Sequence, residues 1–256
     1  MSLSFRPPEL IVKLIGGSIM NITSDTPVCE IAVAFPTAIP VLERFSLNYC
    51  CSGQHTLAEA CAERDQFVGP VLEELGRLHH DSASTETDWQ TAPSTQLIDH
   101  IVGKHHKFSR EQLALISDLA VEVERRHGDR HPEIFQVSTA VASVTSELTH
   151  HFFCEENLLF PYVAQLEAEE TPTLPPMFGS VGQPVTRMIL DHEHTGNELR
   201  LLREITHDYQ LPDDACTTYR ALYRALEDLE QDLHEHIHLE NNILFPRVLA
   251  AAKERQ

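Results

Sequence analysis

The eleven residues "HIHLENNILFP", 236–246, repeat the pattern of "HFFCEENLLFP", 151–161, at an offset of 85 positions. Both stretches read His-x-x-x-Glu-x-Asn-x-Leu-Phe-Pro. Residues four apart lie on the same face of a helix, so each stretch presents one imidazole beside one carboxylate. Two such pairs on facing helices predict a metal site inside a helical bundle.

Four long segments with helical periodicity contain the repeat and its surroundings. They are separated by glycine and proline residues, which end helices, and they cover about 96–127, 133–166, 181–208 and 214–252. Strand patterns are nearly absent. We therefore predict an all-α fold in which residues 96–256 form an antiparallel four-helix bundle.

The chain before the bundle has a different composition. Residues 24–80 contain short helical patterns broken by prolines, and we predict a small helical domain there. Residues 81–95 are rich in Ser, Thr and Asp and are predicted to be a linker. Residues 1–23 are assigned to an N-terminal extension.

The composition excludes several classes of partner. The 256 residues carry 19 basic and 39 acidic side chains, and the net charge of −20 repels nucleic acid backbones and anionic membrane surfaces. No apolar run approaches the roughly 20 residues of a membrane span. The six cysteines lack a dense disulfide pattern, so we expect a soluble cytoplasmic protein with reduced thiols. The sequence leaves the oligomeric state open, with a homodimer as one option.

The repeat selects six candidate metal ligands. An offset of 85 relates the two His-x-x-x-Glu stretches, and an offset of 86 relates the first and third helices. The second offset places His106 on His192, whereas the neighbouring His105 falls on Asp191, so His106 is favoured. The predicted ligands are three repeat-related pairs: His106 and His192, His151 and His236, Glu155 and Glu240.

Four imidazoles and two carboxylates are too many ligands for one tetrahedral zinc ion, and this mixture of nitrogen and oxygen donors suits iron or manganese. Two ions would each receive two histidines and a share of both carboxylates. Positions would remain for an oxo or hydroxo bridge and a small ligand. A single histidine on an apolar helix face is more often a hydrogen-bonded core residue. Six repeat-related positions outweigh that alternative, and the other histidines are assigned to solvated or capping positions.

Metal-bound imidazoles need an acceptor for the second ring nitrogen. Glu147 lies four residues before His151, and Asp232 lies four before His236. We predict that these two carboxylates support the ligands from the second coordination shell. The alternative, that both are solvated helix charges, stays open.

Taken together, "HHKFSREQL", "HFFCEENLLFP", "MILDHEHTGNEL" and "HIHLENNILFP" resemble the hemerythrin-like domain of the di-iron proteins that repair iron centres. In that family the domain follows a small N-terminal domain with a double cysteine, which "NYCCSGQHTLAEAC" resembles. The resemblance covers nearly the whole chain from about residue 24.

The chain departs from the oxygen-carrying hemerythrins at two positions. Their third helix offers two histidines four apart, whereas here His192 is followed four residues later by Gly196. Their last carboxylate is an Asp five residues after the His, whereas here Glu240 comes four after His236. One histidine fewer implies more open coordination.

The resemblance implies a stress protein that repairs iron-sulfur clusters damaged by nitric oxide or oxidants. It would donate iron from the di-iron centre, or bind and reduce nitric oxide there, and damaged iron-sulfur proteins would be its partners. The first alternative is a scavenger or sensor that holds nitric oxide or oxygen without turnover, and the second is an inert structural metal bundle. Whether the protein is an enzyme is left open.

The double cysteine is assigned a role mainly by the resemblance. Cys50 and Cys51 are expected in a turn, where they could exchange redox equivalents or hold a transferred iron ion. The alternative is that both thiols are small buried hydrophobic groups. The family usually has two glycines after the cysteines, but this chain has Ser52 and Gly53, so the turn is expected to differ in shape.

Overall fold

The computed structural model describes residues 10–13, 19–51, 53–78, 87–168 and 180–254, with the backbone alone for 10–13 and 19–20. The chain divides into two compact units, Met1–Thr91 and Ala92–Gln256. Ser52 and part of the predicted linker, residues 81–86, lie outside the described residues. The domain boundaries given above stay predictions.

The first unit begins with a two-stranded antiparallel ribbon, in which Leu10 lies opposite Ile22 and Lys13 lies opposite Ile19. The sequence analysis assigned this region only to an extension. In the part of this unit that the structure describes, the strands and α-helices are β1 (Leu10–Lys13), β2 (Ile19–Ile22), α1 (Val28–Ala34), α2 (Ile39–Arg44), α3 (Leu57–Ala62) and α4 (Val68–Arg77).

A capping box fixes the start of helix α3. The Glu59 N–H donates to Thr56 Oγ1 at 3.2 Å, and the Thr56 N–H donates to Glu59 Oε2 at 2.9 Å. This reciprocal pair satisfies two backbone donors that the first turn of a helix leaves without partners. Leu57, the first residue of α3, is then fully buried in the core of the unit together with Val28 and Leu42.

The second unit is a bundle of four long helices, three of which are interrupted by a π turn. A π turn divides each of the first, second and fourth bundle helices into two α-helical segments, and the third helix is continuous. In chain order these segments are α5 (Ser94–His100), Ile101–His106, α6 (Lys107–His127), α7 (Glu133–Cys154), Glu155–Leu159, α8 (Phe160–Glu167), α9 (Gly182–Thr206), α10 (Thr217–Leu239), Glu240–Leu244 and α11 (Phe245–Glu254).

Apolar side chains at helical spacing fill one part of the bundle. Helix α6 packs against α7 and α10, and α7 packs against α9. The core includes Leu113, Ile116, Val144, Leu199 and Leu229, all at most 4% exposed. Burial of such side chains contributes roughly 1.5–3 kcal/mol each. The prediction of an all-α fold with a four-helix bundle is confirmed.

Within the ranges that the structure describes, every helix is either too short or too polar to cross a membrane.

Candidate metal centre

The three π turns lie where the predicted ligands lie. Glu155 and Glu240 are each the first residue of a π turn, and His106 is the last residue of another. The N–H groups of Phe160 and Phe245 bond to the carbonyls of Glu155 and Glu240, five residues earlier. Such turns are rare and occur frequently at functional sites, because they redirect side chains within a helix.

All six predicted ligands converge inside the bundle, and each is at most 4% exposed. Their donor atoms form two groups of four, and within each group the atoms lie within 4.8 Å of one another. Both groups contain the same two carboxylates. One group is His106, His236, Glu155 and Glu240, and the other is His151, His192, Glu155 and Glu240.

Each carboxylate faces one imidazole of each group through separate oxygen atoms. This placement suits a carboxylate that bridges two metal ions. The distances to imidazole Nε2 atoms are 3.3 Å from Glu155 Oε2 to His106, 3.1 Å from Glu155 Oε1 to His151, 3.1 Å from Glu240 Oε2 to His192 and 3.3 Å from Glu240 Oε1 to His236.

The donor atoms of the site are placed to bind cations rather than to form hydrogen bonds with one another. The carboxylate oxygens of Glu155 and Glu240 are buried and lack a partner in hydrogen-bonding geometry, although imidazoles lie within ion-pair distance. The Nε2 atoms of His151 and His192 face each other at 3.0 Å. Leaving a buried carboxylate uncompensated costs several kcal/mol, on the order of the full desolvation penalty. Two metal ions would satisfy all of these atoms.

The electrostatics of the site also favour positive charge. Burial opposes ionisation of Glu240, but the charges of the nearby His236 and His192 imidazoles outweigh it and hold the pKa of Glu240 well below its usual range. Burial likewise opposes protonation of His151, but chiefly the charge of Glu155 raises its pKa well above the usual value. Without metal, protonation of His151 is therefore favoured, and a metal ion must displace that proton.

Two ligand imidazoles are held by acceptors that the sequence analysis missed. His106 Nδ1–H donates to Glu156 Oε1 at 2.7 Å, and His192 Nδ1–H donates to Asn241 Oδ1 at 2.8 Å. Glu156 and Asn241 are related by the offset of 85, and each directly follows a shared carboxylate. Because Nδ1 carries the proton, Nε2 presents its lone pair to the metal site. The repeat itself was the signal that could have identified them.

The surroundings of the other two imidazoles differ between the halves. Asp191 Oδ2 lies 3.7 Å from His151 Nδ1. At the repeat-related position beside His236, the residue that corresponds to Asp191 is His105, whose ring stacks on His236 with ring centroids 5.7 Å apart and an interplanar angle of 11°. The two-fold relationship therefore holds for the six predicted ligands but not for all of their neighbours.

The structure corrects the partners assigned to Glu147 and Asp232. Glu147 accepts a hydrogen bond from His194 at 2.9 Å near the bundle surface, and Asp232 accepts one from His105 Nδ1 at 2.9 Å. An imidazole that directs Nε2 toward the bundle axis turns Nδ1 toward a neighbouring helix. An acceptor four residues earlier on the same helix is therefore poorly placed.

Among the described residues, three histidines assigned to solvated or capping positions are buried: His105, His127 and His238. His238 Nδ1 accepts a hydrogen bond from Asn242 at 2.9 Å. His127 Nε2 lies 3.2 Å from Cys216 Sγ at the opposite end of the bundle from the ligands. Burial of an imidazole requires such partners, and the sequence alone did not reveal them.

The double cysteine lies in a turn of the first unit. The side-chain oxygen of Asn48 accepts the N–H groups of Cys50 and Cys51 at 3.2 and 3.1 Å, and the two sulfur atoms are 3.5 Å apart. Cys50 is buried and Cys51 is partly exposed. The hydrogen bond to Cys51, followed by burial, raises the pKa of the Cys50 thiol well above its usual value. Cys51 is thus the accessible thiol of the pair.

Gly53 allows the turn to approach helix α1. A Cβ atom at this position would lie 2.6 Å from Cys29 Cβ and 2.6 Å from the Tyr49 carbonyl oxygen. Because neither contact involves the flexible end of a side chain, another residue at this position would force the turn to move.

Two family models match the chain. The "Hemerythrin HHE cation binding domain" matches residues 97–248, and a domain of unknown function, DUF542, matches residues 24–79. The first match contains all six predicted ligands, and the second contains both cysteines of the pair.

Similar proteins match both units together. The iron-sulfur cluster repair protein YtfE of Escherichia coli O81 is 35% identical over 226 residues, which cover 88% of this chain and 97% of that protein. Proteins of the same name from Citrobacter koseri and Escherichia fergusonii are each 34% identical with the same coverage.

Hemerythrin-like domains bind two iron ions, so these matches confirm the predicted di-iron cofactor. The buried set of four imidazoles and two shared carboxylates has the donors that such a centre needs. The chain therefore belongs to the hemerythrin HHE family, and within it to the two-domain proteins that include YtfE.

Proposed function

We propose that this protein repairs iron-sulfur clusters damaged by nitrosative or oxidative stress. The observation that carries the proposal is the buried set of four histidines and two shared glutamates, in a chain similar over 88% of its length to proteins named for this repair. The di-iron centre would supply iron to the damaged cluster, bind and reduce nitric oxide, or do both.

Six side chains would hold the iron ions. His106 and His236 would bind one ion, His151 and His192 the other, and Glu155 and Glu240 would contribute to both. When bound, the iron pair supplies redox chemistry and coordination positions for a small ligand. Glu156 and Asn241 hold two of the imidazoles with Nε2 directed inward.

Aromatic side chains limit access of water to the centre. Phe152 stacks on His106 with ring centroids 4.2 Å apart, and Phe245 stacks on His192 at 5.9 Å. Both phenylalanines are at most 1% exposed. Apolar walls beside the donor atoms favour a small uncharged ligand such as nitric oxide or oxygen. This observation also favours the second candidate function, reversible binding of these gases by a scavenger or sensor.

The double cysteine would act with the centre during repair. Cys51, the partly exposed thiol, would hold or pass on an iron ion or exchange redox equivalents, and Cys50 would support it from the buried side. Damaged iron-sulfur proteins would be the partners, and the acidic chain would not bind nucleic acid. We place the protein in the cytoplasm, where free thiols persist, and a homodimer is one arrangement to be tested.

Anaerobic transfer tests the proposal. Purified protein with a known iron content is mixed with an enzyme whose iron-sulfur cluster has been damaged by nitric oxide, and recovery of enzyme activity is followed. Recovery in proportion to the iron supplied by the protein supports repair. Stoichiometric uptake of nitric oxide without recovery supports the scavenger or sensor instead.

A further inference from the structure

A further group of side chains with metal-ligating donor atoms lies beside the six ligands. His100, His105 and Glu235 each offer one donor atom within 4.8 Å of the others. We call these three residues the peripheral cluster. None of them belongs to the six predicted ligands.

His105 has the environment of a metal ligand. Its side chain is fully buried, its Nδ1–H donates to Asp232 Oδ1 at 2.9 Å, and its Nε2 is buried without a hydrogen-bond partner. A carboxylate on one ring nitrogen fixes the tautomer, so the other nitrogen presents a lone pair. Asp232 thus supports an imidazole of the peripheral cluster rather than His236.

The other two members lie nearer the surface. The His100 ring meets the His105 ring edge-on, with centroids 5.3 Å apart. Burial, and then the charges of His105 and Lys104, lower the pKa of His100, so its imidazole is neutral near pH 7. Glu235 is 39% exposed, and both of its oxygens lie 2.9 Å from Lys104 Nζ. The Lys104 ammonium is therefore the group with which a cation would compete.

The peripheral cluster connects the metal centre to the surface. Its buried member, His105, stacks on the ligand His236, and its outer members are half-exposed. The cluster has no counterpart at the repeat-related position, because His105 corresponds to Asp191 and Glu235 corresponds to His150. It therefore adds to the two-fold ligand set at one side of the centre.

We propose that the peripheral cluster binds a third divalent metal ion, a ferrous ion in transit between solution and the di-iron centre. The proposal rests on the iron donation proposed above. Two imidazoles and one carboxylate suit divalent iron, and a half-exposed site with only three protein donors exchanges its ion readily. The ion would pass without a change of oxidation state, displacing Lys104 from Glu235 while it is bound.

Cobalt binding to the iron-loaded protein tests the site. Oxidised protein with two irons per chain is titrated anaerobically with Co²⁺, whose visible spectrum reports coordination. We expect one further ion at the cluster, and Glu235→Gln and His100→Ala should each weaken its affinity about tenfold or more. Lys104→Met removes the competing ammonium and should strengthen binding. A matched control is Glu147→Gln, which breaks a surface carboxylate–histidine pair between α7 and α9, two helices that carry no member of the peripheral cluster, and should change nothing.

Cobalt binding at another group of donor atoms must be distinguished from binding at the peripheral cluster. His127, His131 and Asp214, at the other end of the bundle, also lie within 4.8 Å of one another. Each titration is therefore repeated with Asp214→Asn, so that cobalt bound there is subtracted. Equal cobalt affinity in wild type, Glu235→Gln and His100→Ala after this subtraction overturns the proposed site.

Iron release tests the transit role separately. After reduction, transfer of iron to an excess of chelator should be about tenfold slower in Glu235→Gln than in wild type or Glu147→Gln, with the initial iron content unchanged. Unchanged release rates would refute transit even if the third ion binds. If release is slowed but wild type does not restore damaged clusters, the proposed repair function fails while the peripheral site stands.

Discussion

Glu156 accepts a 2.7 Å hydrogen bond from Nδ1 of His106, whose Nε2 faces the preceding residue, Glu155, at 3.3 Å. One π turn therefore supplies both a shared carboxylate and the acceptor that orients an imidazole on another helix. Asn241 does the same for His192 in the other half. The π turns thus set the metal-site geometry in addition to contributing ligands.

We expect Glu156→Ala and Asn241→Ala to weaken iron affinity about 10- to 100-fold, because each frees the Nδ1–H of a ligand imidazole. Competition with a chelator measures the affinity, and circular dichroism checks that the helices persist. Glu147→Ala is the matched control, because Glu147 contacts His194 rather than a ligand. Equal iron affinity in all three variants would contradict the assigned acceptors.

Replacing one shared carboxylate should affect both metal positions. Glu155→Gln or Glu240→Gln removes a donor common to both groups, so iron content should fall well below one ion per chain rather than to one. Metal analysis together with Mössbauer spectroscopy counts the iron ions and distinguishes their environments. Retention of one fully occupied, unchanged iron position would show that the carboxylates are not shared.

Iron affinity should decrease as the pH falls. The charge of Glu155 chiefly raises the pKa of His151 and that of Glu240 raises the pKa of His236, each against the opposing effect of burial. Both imidazoles are therefore protonated in the metal-free protein up to a pH above their usual range, and iron must displace these protons. Below the raised pKa values each displaced proton should weaken binding about tenfold per pH unit. A flat affinity profile between about pH 6 and about pH 8, an interval that spans the usual histidine pKa of about 6.5 and the range above it, would oppose this account.

The cysteine pair should be separable from the iron centre. Because all six ligands lie in the second unit, a Cys50→Ala, Cys51→Ala double variant should keep two irons and its helical content but lose repair of a damaged cluster. Cys51→Ala alone should account for most of the loss, since Cys51 is the accessible thiol. Repair at the unmodified rate would remove both cysteines from the mechanism.

Gly53→Ala should destabilise the first unit by about 1–3 kcal/mol, because the added Cβ meets Cys29 and the backbone of Tyr49. Gly69→Ala in helix α4 is the matched control, since a Cβ there meets nothing within 4 Å and should be stabilising by about 0.5–1 kcal/mol. Trp89, the only tryptophan, lies in the first unit, so its fluorescence during urea unfolding reports this region. Equal urea midpoints for the two variants would contradict the close approach.

The repeat predicted the bundle and the convergence of the six ligands because it fixes helix faces directly. Its own Leu-Phe-Pro endings also signalled the π turns, since Pro161 and Pro246 cannot donate to the carbonyls four residues earlier. The sequence analysis nevertheless treated each of the four bundle segments as one continuous α-helix. The acceptors Glu156 and Asn241 were missed because they act across helices: the repeat relates their positions, but spacing along one helix does not show which imidazole each one contacts. The four-residue strands of the N-terminal ribbon are too short for a clear period.

Transfer of isotopically labelled iron tests the central claim most directly. Protein loaded with two labelled irons per chain is incubated anaerobically with a cluster-damaged enzyme, and the label in the repaired cluster is measured by Mössbauer spectroscopy after the two proteins are separated. We expect the label to appear in the repaired cluster as the di-iron centre loses it, and Glu240→Gln, with its centre unformed, to transfer none. Repair with unlabelled iron while the centre keeps both labelled ions would contradict iron donation.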